Sequence, residues 1–239
     1  MMLAEDYIDQ VEAARVPRGY GGHFYGAYPA LVSNIKDPDG QGRVKVLLPW
    51  SPDGQGASYE AWARLATMMG GNNRGTWFIP DVNDEVLVIF MGGDPRQPCV
   101  VGGLWNGQDD PPESMDSAGK NYIKTIRSRN GVQITLDDTD GQETMTLQTP
   151  GGQTVTLADG PGSITLQDSN GNSIQMQAAG ITITTSATFT VNASTVDISA
   201  GMVTVNAGMS TFSGVVQADT AITSSIISAS YTPGAGNIW

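Results

Sequence analysis

Two groups of carboxylates have the types and spacing that could do hydrolytic chemistry: Asp109 with Asp110, and Asp137, Asp138 and Asp140 with Glu143. Paired acids of this kind act as general acid and base in glycan hydrolysis. Both groups fall in turn-rich stretches, however, where aspartate is favoured because its side chain hydrogen-bonds nearby backbone. Several oxygens converge between Asp137 and Glu143, but without the ligand spacing of a calcium loop. His23, the single histidine, has no triad partner at readable spacing, and the lone Cys99 follows a proline at a strand start, so both read as structural. No glycine-rich phosphate loop stands between a strand and a helix. Trp50, Trp62, Trp77 and Trp105 could stack nucleic-acid bases, but the charge around them has the wrong sign, and they read as packing the barrel or a contact between chains. The chain reads as non-enzymatic, with no cofactor and no metal.

The elements that would position any such residues are β-strands. From Asn130 to Trp239 there is no lysine or arginine, and a short apolar-x-apolar cell recurs every seven to ten positions. The cells are Val132, Ile134, Leu136; Met145, Leu147; Val155, Leu157; Ile164, Leu166; Ile174, Met176; Ile181, Ile183; Phe189, Val191; Val196, Ile198; Val203, Val205; and a looser Phe212, Val216 pair. Within each cell the apolar residues alternate with Thr, Gln, Asn or Ser, so one strand face is buried and the other wet. Turn formers such as Asp140-Gly141, Pro150-Gly151-Gly152 and Asn170-Gly171-Asn172 separate the cells. A single chain with so thin an apolar stripe does not offset a backbone ordering cost of about 1 to 2 kcal/mol per residue. Three identical chains around one axis do, because each strand then packs its apolar face on two symmetry mates. The pattern predicts a homotrimeric, intertwined β-helix, or β-prism.

Upstream, longer strands lie between Gly, Pro and Asp turns: Tyr28–Ile35, Arg43–Leu48, Ala61–Ala66, Glu85–Met91 and Cys99–Leu104. Five strands with no helix suggest a small OB-fold barrel, and Asp37-Pro38-Asp39-Gly40 is a strong turn between the first two. The all-β chain then divides into an N-terminal arm (1–24), a five-stranded barrel (25–107), a linker or neck (108–130), the trimeric shaft (131–230) and a tip segment (231–239). The arm reads either as an unanchored tail or as a docking arm. Lys120, Lys124, Arg127 and Arg129 are the last basic residues. They form a collar at the neck, either solvated or in contact with a partner or with the acidic start of the shaft.

The net charge of −12 divides into −4 before Asn130 and −8 after it. Such a surface argues against nucleic acid or anionic lipid as a main partner, since both need clustered Lys and Arg. Glu5, Asp6, Asp9 and Glu12 interrupt any secretory signal, so synthesis in the cytoplasm is expected.

The barrel segments resemble the spike proteins of contractile injection machines, namely phage baseplate assembly protein V and the core of VgrG. The resemblance rests on Gly42-Arg43-Val44-Lys45-Val46-Leu47-Leu48-Pro49-Trp50, Trp62-Ala63-Arg64-Leu65-Ala66, Gly75-Thr76-Trp77-Phe78-Ile79-Pro80 leading into Asp84-Glu85-Val86-Leu87-Val88, Gly92-Gly93-Asp94-Pro95-Arg96-Gln97-Pro98, and Gly102-Gly103-Leu104-Trp105-Asn106-Gly107, in that order. It implies a trimeric structural spike in the baseplate of a phage tail or tail-like particle, attached to a trimeric hub at its barrel end and driven through the target envelope on sheath contraction. Full-length VgrG proteins carry a large hub before the barrel, and about 25 residues precede it here, so a separate hub protein is expected. Some phage spikes bind iron through a terminal His-x-His, which has no counterpart here, so a metal at the tip is not expected. By resemblance, a PAAR-type tip protein would dock on Tyr231, Pro233, Ile238 and Trp239. Otherwise Trp239 folds back and seals the last layer. A trimeric, glycan-binding tail fibre is the alternative reading; such rods usually display aromatics along the shaft, and the two here, Phe189 and Phe212, occupy inward positions.

Overall fold

The computed structural model describes residues 22–52 and 55–229. Residues 1–21 of the arm expected over 1–24, and the four terminal residues expected to dock a tip protein, lie outside the described residues. The contacts divide the chain into one unit through Thr188 and a second from Phe189.

The first unit opens with a closed barrel of β1 (Ala27–Asn34), β2 (Val44–Pro52), β3 (Ser58–Leu65), β6 (Glu85–Phe90) and β7 (Pro98–Gly103), in the order β1-β2-β3-β7-β6. Period-two alternation builds its interior. Val44, Val46 and Leu48 of β2 point inward, where Val32, Ala63, Val86, Val88 and Val100 meet them, all essentially without solvent contact. Register shifts at Val32/Asn34, Leu48/Pro52 and Leu87/Val88 bend the strands so that the sheet can close. Phe24, Tyr28, Trp50 and Phe90 plug one end, with Trp50 stacked on Tyr28 at 4.8 Å and its indole N–H donated to the Pro29 carbonyl at 2.7 Å. The strands are those the alternation predicts, with β2 running on to Pro52 and β3 starting at Ser58. The β1–β2 turn centres on Asp37, which accepts from the backbone N–H groups of Asp39, Gln41 and Arg43 and from the Arg43 guanidinium at 2.6 Å. That guanidinium holds the carboxyl well below the usual range.

A two-residue-per-strand hairpin, β4 (Gly70–Gly71) and β5 (Arg74–Gly75), rises from the β3–β6 connection. The alternation did not predict it.

After the barrel, β8 (Ile123–Arg127), β9 (Gln133–Asp137), β10 (Thr144–Gln148), β11 (Thr154–Ala158), β12 (Ser163–Gln167), β13 (Ser173–Gln177) and β14 (Gly180–Thr184) form one antiparallel meander in sequence order. The segment read as linker therefore contributes the first strand of this sheet, Ile123–Arg127. All seven strands pair within the chain. Tight turns explain this, since they return each strand beside the one before. The turn after β8 closes by Gly131 N–H donating to the Ser128 carbonyl at 2.9 Å. The turn after β10 closes by Gly152 N–H donating to the Thr149 carbonyl at 3.0 Å. In the second unit, residues 189–229 carry no strand although the apolar alternation continues.

Candidate functional site

The meander sorts its side chains by face. On one face two apolar ladders run across the sheet. The first joins Ile126, Ile134, Leu147, Val155, Leu166, Ile174 and Ile183, and the second joins Leu136, Met145, Leu157, Ile164, Met176 and Ile181. The other face carries Thr125, Thr135, Thr146, Thr156, Thr165, Gln175 and Thr182 in one cross-strand row. Facing residues at this spacing support one another, threonine pairs included.

The apolar face is uncovered. Ile134, Val155 and Met176 are half-buried, and the other ten ladder residues are exposed, from 37% at Leu147 to 70% at Ile181, whereas the corresponding barrel residues are sealed. Burial of a Val, Leu or Ile side chain contributes about 1.5 to 3 kcal/mol, so a half-exposed one leaves about 1 kcal/mol unrealised. Over both ladders this comes to on the order of 10 kcal/mol per chain, a sum comparable to the stability of a whole domain. A single-layer sheet with a continuous apolar stripe of this kind marks an interaction surface. Each strand between β8 and β14 is already paired on both sides within the chain, so what their apolar face can offer a neighbour is side-chain packing.

The polar face is partly covered by the chain itself. Residues 106–122 leave the barrel and pass beside β8, and the Glu113 carboxylate accepts from Thr125 Oγ1 at 3.0 Å and from Gln133 Nε2 at 3.4 Å. Beside this contact lies a cleft lined by Trp105, Pro111, Pro112, Met115, Tyr122 and Ile123, among others.

The carboxylates between Asp137 and Glu143 come together in one turn, and each has its own partner. Asp137 accepts from the backbone N–H and hydroxyl of Thr139, and these bonds, the hydroxyl's above all, hold its carboxyl below the ordinary value. Asp138 pairs with Lys124 at 2.5 Å, Asp140 accepts from the Tyr122 hydroxyl at 2.9 Å, and Glu143 accepts from the Gly141 N–H at 3.1 Å. Asp109 is engaged by Asn106, and no three His, Cys, Asp or Glu side chains converge as a metal set among the described residues.

Of the neck cations, Lys120 donates to the Tyr122 hydroxyl and sits over its ring, Lys124 bridges to Asp138, and Arg129 reaches back to Asp81 of the barrel at 2.7 Å. Arg127 is exposed at the end of β8. The spacing of these residues signals a basic cluster; it takes the β8–β9 register to show that Lys124 and Asp138 are neighbours. Ile126, the first rung of an apolar ladder, was missed for want of an alternating neighbour.

The turns also carry a pH-dependent contribution. Asp168, between β12 and β13, accepts from the Asn172 side chain and N–H and from Asn170, and these bonds lower its pKa from 3.8 to about 2. A depressed carboxylate stabilises the fold fully above its unfolded pKa, near 4, and that contribution is lost as pH falls through about 2. Asp168→Ala is therefore expected to lower the melting temperature at pH 7, with the difference from the parent chain closing as pH is taken down to 2. A difference that stays constant across that range would contradict the assignment.

Residues 28–105 match the family model for the type VI secretion system/phage-baseplate injector OB domain, and residues 144–211 match that for the phage baseplate V C-terminal trimerisation domain. The chain is similar to a type VI secretion system spike protein, VgrG4b, of Pseudomonas aeruginosa, with 34% identity over 44% of this chain and 14% of that protein. It is also similar to the spike protein VgrG3 of Vibrio cholerae, with 29% identity over 49% of this chain and 13% of that protein. The actin cross-linking toxin VgrG1 of Vibrio cholerae is 25% identical over 49% of this chain and 12% of its own length. The match thus spans less than a fifth of each of these relatives. The barrel coincides with the first matched segment, and β10–β14 with the start of the second.

Proposed function

We propose that this chain, which carries the injector OB domain and the baseplate V trimerisation domain, is the central spike of a contractile injection particle and acts as a homotrimer without catalysis. The observation that carries the proposal is the uncovered apolar face of the meander within and beside the matched trimerisation segment. Three such faces around one axis form a three-sided prism with the ladders inside and the threonine rows outside. The second unit repeats the alternation from Phe189 to Val216 with no strand of its own, so its backbone groups find partners in neighbouring copies, and the chains intertwine there.

Such an assembly resists axial load, because each layer is crosslinked by backbone hydrogen bonds and the interior is dry. Sheath contraction supplies the work and the trimer transmits it to the target envelope. The barrels attach to a trimeric hub, and a tip protein docks on Tyr231, Pro233, Ile238 and Trp239. The toxin named among the relatives shares 12% of its length with the match, so its activity is not carried over.

The test is made on particles from the source cells. Antibody labelling is expected to place the chain at the baseplate, and particles lacking it are expected to fail to breach target envelopes. Particles that assemble, contract and breach envelopes without the chain would contradict the proposal.

A further inference from the structure

We propose that the β4–β5 hairpin of one copy inserts into the neck cleft of the next, so that three identical knob-and-cleft contacts lock the barrels into a ring above the prism. This rests on the trimer proposed above and adds a second interface to it. The base of the knob is apolar and uncovered, below an exposed polar tip of Asn72, Asn73 and Arg74: Met68 is 89% exposed, Trp77 75% and Phe78 66%, with Met69 beside them. Solvated loops rarely present four large apolar side chains together, and such a patch marks a contact.

The knob is also rigid. Gly70 pairs with Gly75 and Gly71 with Arg74, Thr76 N–H donates to the Met69 carbonyl at 3.0 Å, and the Thr67 hydroxyl donates to the Thr76 carbonyl at 2.9 Å. At Gly75, where φ is +149°, a Cβ would lie 2.5 Å from the Met69 carbonyl oxygen, so the tight closure is open to glycine alone. Trp77 rests one edge of its ring against Gly42 and leaves the remainder free. A loop held in shape before it meets its partner loses little entropy on docking.

Position selects the partner. Phe78 lies three residues before Asp81, whose carboxylate bridges to Arg129 in the β8–β9 turn. The knob is thereby tied to one edge of the first layer of the sheet. The cleft lies at the opposite edge of the same layer: it is lined by Tyr122 and Ile123 at the start of β8 and by Thr139 just past β9, together with Trp105, Pro112 and Met115. Trp105 is 71% exposed. In a three-sided prism the left edge of one face abuts the right edge of the next. A knob at one edge and an apolar cleft at the other, at the same level, make a head-to-tail contact that closes after three copies.

The experiment uses the full chain with Cys99→Ser as background, carrying Phe78→Cys and Met115→Cys together or singly, treated with a short bismaleimide. Light scattering is recorded first, and denaturing gels follow. The double variant is expected to run as covalent dimers and trimers at the expense of the monomer, while each single variant stays monomeric on the gel. A trimer in solution whose double variant gives only monomer, with or without an internal crosslink, would overturn the knob-and-cleft contact and leave the spike reading standing. A chain monomeric in solution would overturn both. Oxidation of Met68 and Met69 by peroxide supplies a readout without new cysteines: both are expected to react more slowly in the trimer than in the urea-unfolded chain, and equal rates would count against docking.

Discussion

Leu157→Asp is expected to turn the assembled protein into single chains. Leu157 sits in the middle of the second apolar ladder, facing Met145 on one side and Ile164 on the other. In the trimer three copies would place three carboxylates near one axis. Each substitution removes about 1.5 to 3 kcal/mol of apolar burial and adds the effective penalty of burying an ion, several kcal/mol. For three copies the loss is on the order of 10 kcal/mol or more. The control is Thr156→Asp, one residue away on the opposite face and paired with Thr146 and Thr165. It is expected to leave the mass unchanged. Equal effects of the two substitutions would mean that the two faces are not distinguished by assembly.

A second large effect is expected in the barrel. Val88 of β6 is fully buried, with Tyr28 of β1 and Val100 of β7 opposite it. Val88→Asp places a carboxylate among Val, Leu and Phe side chains with no donor to receive it. That penalty, several kcal/mol, approaches the 5 to 15 kcal/mol that holds a domain together. The barrel is expected to unfold, seen as loss of the near-ultraviolet signal of Trp50 and Trp62. The mass of the assembly is expected to stay at three chains, because the ladders lie outside the barrel. Loss of the trimer together with the barrel would instead assign assembly to the barrel contacts.

The barrel strands and the cells from Gln133 to Thr184 were legible in the sequence because each has one dry and one wet face, which writes a period of two. β8 was not, for a physical reason. Ile126 faces the apolar ladder while Ile123, on the other face, lines the cleft beside the linker, so each face of that strand carries an isoleucine and the alternation vanishes. The β4–β5 hairpin left no pattern either, since two-residue strands ending in glycine are fixed by backbone hydrogen bonds and Thr67. The cells after Phe189 show the converse limit. Alternation tells which face is dry, but not whose backbone completes the ladder, and within one chain those cells form no strand.

The site was legible to the same degree. The apolar residues of the face could be read as cells, but their continuity into two ladders required the register. The collar of Lys120, Lys124, Arg127 and Arg129 was visible as composition. Its division into a bridge within the sheet, at Asp138, and a bridge to the barrel, at Asp81, was not. Both bridges are largely exposed, and such pairs contribute about 1 kcal/mol or less to stability. The Arg129–Asp81 pair is therefore better understood as fixing the orientation of the neck than as holding it together.

The most direct test of the account is the solution mass of the purified full chain by light scattering, repeated in SDS at room temperature. The account predicts a mass of three chains at micromolar concentration, part of which survives the detergent. A single-chain mass under native conditions would contradict it, because the apolar face of the meander would then be stable in water without a neighbour.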